Sequence, residues 1–139
     1  MPNISSGAVH HIVLTVADRE RSRDFYTSVL GFQFLTDYQF SPESGSRYFL
    51  SNGTMILAVG LAPDASRAIQ GDRFDENRVG LDHVSLHVAN RDELEKALKL
   101  FEERGITHGE IVDVADFGIY VLAFRDPDNI QVELTAPKT

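Results

Sequence analysis

The chain has 139 residues, 42 % of them hydrophobic, with 21 acidic against 13 basic residues and a formal charge of -8. That length gives one ordinary globular domain or two small modules sharing a core and excludes two independent catalytic domains, while an acidic surface without a Lys/Arg run excludes nucleic acid as a partner. Cysteine is absent, which removes disulfides, thiolate zinc sites and cysteine nucleophiles, and no stretch nears the roughly 18 apolar residues of a membrane span, so a soluble cytoplasmic protein without membrane contact is expected.

In chain order, His11 to Val16 (His-Ile-Val-Leu-Thr-Val) is dense in β-branched residues and predicts a strand ended by Ala17-Asp18. Asp18 is placed to cap a helix through DRERSRDFYTSVLGF, in which Ser22, Phe25, Tyr26, Val29 and Leu30 fall largely along one face and Gly31 is the stop. Strands are predicted over Phe32 to Phe40 and Arg47 to Leu50, separated by the loop SPESGS, and over Thr54 to Val59 after the turn SNG. The order then repeats. His83 to Val88 reads as a strand, and Arg91 to Arg104 places Leu94, Ala97, Leu98 and Phe101 at helical spacing before Gly105. Strands follow near Glu110 to Asp113, Gly118 to Phe124 and Ile130 to Thr135, the last two joined by RDPDN. Each half is therefore β-α-β-β-β. We expect a single α+β domain over 1–139, made of module 1 (8–61), a polar connector (62–79), in which Arg67 to Gln70 could form a helical turn, and module 2 (80–136).

Alternation along a strand sorts the candidate functional residues. Ile12, Leu14 and Val16 are the apolar set suited to packing on the first helix, so His11, Val13 and Thr15 face away from it. The same parity groups His83, Ser85 and His87, and groups Gln131, Glu133 and Thr135. Two imidazoles and a carboxylate on non-helix faces form a ligand set for ferrous iron, manganese, zinc or nickel. The alternative is a sheet face open to water with hydrogen-bonded polar residues. His10 reads as a rim residue, His108 as a loop residue after Gly105, and Asp18 as a helix cap.

The phrases HHIVLTVADRERSRDFYTSVLGF, LDHVSLHVANRDELEKALKLFEERGI and FRDPDNIQVEL, in this order and spacing, resemble the vicinal oxygen chelate superfamily, the group of glyoxalases, bleomycin-resistance proteins and extradiol dioxygenases, over essentially the whole chain. The resemblance implies two βαβββ modules forming a cupped, partly closed mixed sheet whose concave face holds a divalent metal or a ligand. It also implies a homodimer. Carried over, the family's metal positions fall on His11, His83 and Glu133, and aligning Met55-Ile56-Leu57 with Gln131-Val132-Glu133 puts Leu57, which cannot ligate, at the fourth. Glyoxalases of this group carry a glutamate or glutamine there, so lactoylglutathione lyase is disfavoured.

Two histidines and one carboxylate instead resemble the extradiol dioxygenases and the fosfomycin-resistance transferases. Neither match is complete: the tyrosine expected about ten residues before the final glutamate is replaced by Ala123-Phe124, and VDVADFGIY lacks the basic loop that would hold a phosphonate. The expected function is a metal-dependent enzyme, with Fe2+ or Mn2+ favoured and Zn2+ or Ni2+ possible, chelating vicinal oxygens of a small hydroxylated or aromatic substrate. Dioxygenase-like chemistry is placed ahead of isomerase or lyase chemistry. His87, about 13 Å along the strand from His83, is the candidate general base, and Tyr120 the candidate donor to substrate. Val13, Thr15, Tyr48, Leu57, Ser85, Leu122 and Phe124 are the expected substrate contacts, with Tyr120, Leu122 and Phe124 on the cavity side of their strand. The rival is a metal-free protein of the bleomycin-resistance type that sequesters a small molecule.

Overall fold

Strand β1 (His11–Thr15), helix α1 (Arg19–Leu30) and strands β2 (Gln33–Tyr38), β3 (Arg47–Ser51) and β4 (Ile56–Gly60) form the first module. Strand β5 (Val84–His87), helix α2 (Arg91–Arg104) and strands β6 (Val112–Val114), β7 (Ile119–Arg125) and β8 (Gln131–Pro137) form the second, in a computed structural model that describes residues 2–139. The fold is α+β and each module is βαβββ. Each has one four-stranded mixed sheet, in the orders β1-β4-β3-β2 and β5-β8-β7-β6, with the first strand parallel to the last and the remaining pairs antiparallel. The sheets are open, with β1 and β2 at the edges of one and β5 and β6 at the edges of the other. The chain divides into two compact units between Gly71 and Asp72.

The helix boundaries follow from their caps. Asp18 accepts a hydrogen bond from the Arg21 amide at 3.0 Å, and Asn90 accepts one from the Glu93 amide at 3.2 Å, satisfying donors that the first turn leaves unpaired. Gly31 and Gly105 end the helices with φ of 72° and 66°, left-handed values that favour glycine. Tyr26 of α1 is buried with Phe32, Leu50, Leu57 and Val59, and in α2 Leu94 and Phe101 are buried with Leu122, Phe124, Val132, Leu134 and Ala136. The amphipathic helix faces and the apolar strand faces thus bury together in each unit.

The stretch after Gly71 is tied to the second unit. The Phe74 amide donates to the Asp128 carbonyl at 2.9 Å, Asn129 Nδ2 donates to the Phe74 carbonyl at 2.9 Å, and Glu76 pairs with Arg125 at 2.8 Å. A helical turn occurs earlier than expected, as a 3-10 turn over Ala65–Arg67 that Asp64 caps by accepting from the Ser66 amide. His108 is not a plain loop residue either: it bridges to Phe124 in antiparallel fashion and its ring lies 5.9 Å from that of Phe101.

The Glu76–Arg125 pair gives a pH prediction. The hydrogen bond from Arg125 is the main cause that lowers the Glu76 pKa. A lowered folded-state pKa means that stabilisation is present above the unfolded-state value and is lost as pH falls through the folded one. Acidification below about pH 4, the ordinary glutamate range, is therefore expected to lower the protection of the Phe74 amide, its exchange rate compared with that of an unstructured peptide at the same pH. Glu76→Gln should remove most of that pH dependence, and protection as pH-dependent in the variant as in the native chain would contradict the assignment.

Candidate functional site

The strand registers decide which side chains leave the helix-covered face. In the second unit, Val84 pairs with Val132 and Leu86 with Leu134, while Ser85 pairs with Glu133 and His87 with Thr135. Val132 and Leu134 are buried, whereas Ser85 and His87 are exposed. The polar set Ser85, His87, Gln131, Glu133 and Thr135 therefore occupies the open face, as alternation implies, and the Ser85 and Thr135 hydroxyls hydrogen-bond across the two strands. His83, immediately before β5, continues this set.

His83 and Glu133 come together. The imidazole Nε2 lies 3.8 Å from Glu133 Oε2, beyond hydrogen-bond length, and among the described residues the Glu133 carboxylate accepts no hydrogen bond although its side chain is only 19 % exposed. Metal–ligand bonds of roughly 2.1 Å each allow two donors on one ion to lie up to about 4.2 Å apart, so the separation suits a shared cation. The other imidazole nitrogen, Nδ1, is 2.6 Å from Asp82 Oδ1, which also accepts from Gln131 Nε2 at 3.0 Å. Alternation does not point to Asp82. Its only sequence signal is adjacency to His83 in LDH.

β7 corrects one expectation. Leu122 pairs with Leu134, Phe124 with Val132 and Tyr120 with Ala136, so all three lie on the helix side. Leu122 and Phe124 are 0 % and 1 % exposed, and Phe124 stacks on Phe101 of α2 with centroids 4.5 Å apart. Tyr120 lies under the Arg91 guanidinium at 4.8 Å and Lys138 at 5.7 Å. None of the three is a cavity residue. The open-face residues of β7 are Val121, Ala123 and Arg125, opposite Thr135, Glu133 and Gln131. Alternation along β7 holds, but its phase against β8 differs by one residue from the expected one.

The first unit needs a similar correction. Ile12 pairs with Leu57 and Leu14 with Val59, and Leu57 and Val59 are both buried. Leu57 therefore packs in the helix-side core, on the face opposite His11. Its counterpart in the second unit is Val132, and the residue that corresponds to Glu133 is Ala58, opposite Val13 as Glu133 is opposite Ser85. Alanine also lacks a donor, so the fourth position stays without a protein ligand, on a different residue.

Tyr48 likewise turns inward, 8 % exposed. It pairs with Val59, donates to Glu20 at 3.0 Å and lies between the Arg19 and Arg23 guanidiniums at 4.2 and 4.8 Å. Burial, and then the bond to Glu20, raise its phenol pKa above the ordinary value. Tyr48 ties α1 to β3.

The open face of the first unit carries His11, Val13 and Thr15, all exposed. His11 Nδ1 lies 2.8 Å from His10 Nδ1. Beside them run Ala58 and Gly60 of β4 and Arg47 and Phe49 of β3. A methyl group on Gly60 would sit 2.6 Å from Arg47 Cγ, so the glycine makes room for the arginine stem. Phe49 and Phe40 lie 5.8 Å apart by ring centroid, and Phe40 and Tyr38 lie 4.8 Å apart. Alternation over the predicted strand puts Tyr38 and Phe40 on one face, but sequence reasoning missed the group because the β2–β3 register that brings Phe49 beside them, with its shift between Phe34 and Thr36, is not legible in the letters. Among the described residues, no three His, Cys, Asp or Glu side chains cluster in metal-binding geometry.

Comparison with known proteins places this architecture. The chain is 28 % identical over 128 residues to the uncharacterized protein YwkD of Bacillus subtilis (strain 168), covering 91 % of this chain and 94 % of that one. It is 27 % identical over 128 residues to MhqA of the same organism, provisionally named a ring-cleaving dioxygenase, covering 92 % of this chain but 40 % of MhqA. A crystal structure of a glyoxylase/bleomycin resistance protein/dioxygenase domain from Frankia sp. EAN1pec superposes with a TM-score of 0.80 at 28 % identity, over 96 % of this chain and 99 % of that one. Structures at 15 to 22 % identity, among them a lactoylglutathione lyase, an antibiotic-binding protein and a fosfomycin resistance protein, share the fold alone. The profile of the Glyoxalase/Bleomycin resistance protein/Dioxygenase superfamily matches residues 8–134. By that match and by its duplicated βαβββ architecture, the chain belongs to this superfamily.

Proposed function

We propose that the protein is a divalent-metal-dependent enzyme that chelates vicinal oxygens of a small hydroxylated or aromatic substrate, with extradiol-dioxygenase-like ring cleavage ahead of isomerase or lyase chemistry. The observation that carries this reading is the facing of His83 Nε2 and Glu133 Oε2 at 3.8 Å, with neither hydrogen-bonded to the other. A partly buried carboxylate without a donor is costly unless a cation neutralises it. His11, the matching residue of the first module, is proposed as the third ligand, and the imidazole and carboxylate donors suit Fe2+ or Mn2+, with Zn2+ or Ni2+ also accommodated. When bound, such an ion supplies Lewis acidity toward two substrate oxygens, or dioxygen chemistry if it is iron.

The chain's own contribution would be binding and proton handling. His87 presents an exposed imidazole on the Glu133 face, further along β5, where it could accept a proton from a substrate hydroxyl. Ser85, between the two histidines, and Thr135, opposite His87 on β8, offer hydroxyls to a substrate oxygen, and Val13 and Thr15 line the corresponding face of the first unit. The likeness to MhqA supports ring cleavage, although the chain spans less than half of that protein. A cytoplasmic homodimer completes the reading, suited by a cysteine-free composition.

The test is oxygen uptake by the Fe2+-loaded full chain with a panel of catechols and hydroquinones. Stoichiometric uptake of one dioxygen per substrate, with a ring-opened product retaining both oxygen atoms and with loss in His83→Ala, is the expected result. Turnover of none of the panel by iron-loaded protein would contradict ring cleavage. One observation favours a second reading, sequestration of an aromatic molecule: the Tyr38, Phe40 and Phe49 rings on an open face, with Tyr38 and Phe40 more than half exposed. Tight, metal-independent binding of aromatic compounds without turnover would support it.

A further inference from the structure

We propose that Asp82 is a positioning residue that fixes the metal-ligating nitrogen of His83, and that Gln131 holds Asp82 in that role. This rests on the reading of His83 as a ligand. A neutral imidazole carries one N–H and one lone pair, and the partner of one nitrogen decides which is which. Asp82 Oδ1 lies 2.6 Å from His83 Nδ1. A carboxylate oxygen accepts, so Nδ1 carries the hydrogen and the lone pair is left on Nε2, the nitrogen that faces Glu133 Oε2 at 3.8 Å. The tautomer needed for ligation is thus set before any ion arrives.

The Asp82 side chain is 58 % exposed, so unaided it would be free to turn into solvent. Gln131 Nε2, 3.0 Å from the same Oδ1, limits that freedom. Gln131 sits two residues before Glu133 on the same face of β8. One strand therefore carries both the carboxylate ligand and the amide that orients the neighbour of the histidine ligand. His11 has no such support: its Nδ1 meets another imidazole nitrogen, His10 Nδ1, at 2.8 Å. The two histidines are unequally prepared, and His83 is the pre-set one.

Two readouts test this, one of them in the metal-free protein. The first is Co2+ affinity of the full chain and of Asp82→Ala, Asp82→Asn, Gln131→Leu and His83→Ala. The second is the nitrogen-15 spectrum of the imidazoles at about pH 8, where imidazoles are ordinarily neutral. Asp82→Ala is expected to weaken Co2+ binding by about 10 to 100-fold, as loss of an outer-shell partner does elsewhere. Asp82→Asn, which keeps an acceptor oxygen, should retain part of the affinity, and Gln131→Leu should fall between native and Asp82→Ala. The native spectrum should show His83 with its hydrogen on Nδ1, and Asp82→Ala should show a mixture of tautomers. If His83→Ala abolishes Co2+ binding while Asp82→Ala matches the native chain in affinity and tautomer, the positioning role is overturned and the metal reading survives. Co2+ binding unchanged in His83→Ala would overturn the metal reading and this inference with it.

Discussion

Replacing Phe124 by alanine is expected to destabilise the fold by about 3–5 kcal/mol, the usual result for removing a buried aromatic ring. The ring is 1 % exposed, stacks on Phe101 at 4.5 Å and shares its face with Val132, so its removal leaves a cavity between α2 and the second sheet. Domains of this size are stable by only about 5–15 kcal/mol, and a loss on that scale should be visible as a much lower denaturant midpoint in an equilibrium unfolding curve. Ligand affinity of the folded fraction should not change, because the Phe124 ring lies on the helix side of the sheet, against Phe101. A variant with native stability and weakened ligand binding would show instead that Phe124 lines the cavity, as alternation in the wrong phase suggests.

The second large effect separates function from stability at Glu133. Glu133→Gln is expected to weaken divalent-metal binding by more than about 100-fold, since an inner ligand matters more than the outer-shell partners whose loss costs about 10 to 100-fold. In the metal-free protein the same change should leave stability unchanged or raise it. The native carboxylate is mostly buried, accepts no hydrogen bond among the described residues and meets His83 only at 3.8 Å, so folding gains little from its charge and bears part of its desolvation. Paired unfolding curves and Co2+ titrations of the metal-free native and variant chains check both halves. A variant clearly less stable without metal would indicate a structural role for the carboxylate and weaken its reading as a ligand.

Much of this fold is legible in the letters because each helix carries its own punctuation. Asp18 and Gly31, and Asn90 and Gly105, bound segments whose apolar residues recur at helical spacing, and α2 begins at Arg91 and ends at Arg104 as that pattern implies. Strand faces are legible one strand at a time, which is why His83 and Glu133 could be grouped from β5 and β8 alone. Cross-strand phase is less legible. It depends on how the RDPDN turn, with Asn129 at φ 68°, sets β7 against β8, and this register puts Tyr120, Leu122 and Phe124 on the helix side although alternation alone allows either face. Leu57 failed for a related reason, since letter-by-letter matching of the two modules' last strands ran one residue out of the hydrogen-bonded register with β1. Asp82 was not legible as a site residue because its role comes from side-chain contacts to a neighbour and to a strand about fifty residues away.

Metal stoichiometry decides whether His83 and Glu133 hold an ion. The metal-free full chain would be equilibrated separately with Fe2+ under anaerobic conditions, and with Mn2+, Zn2+ and Ni2+, and the bound ion measured by elemental analysis after exhaustive dialysis. Close to one ion per chain is expected for at least one of the four, lost in both His83→Ala and Glu133→Gln. Retention of none of the four by the native chain, or equal retention by the native chain and both variants, would contradict that expectation.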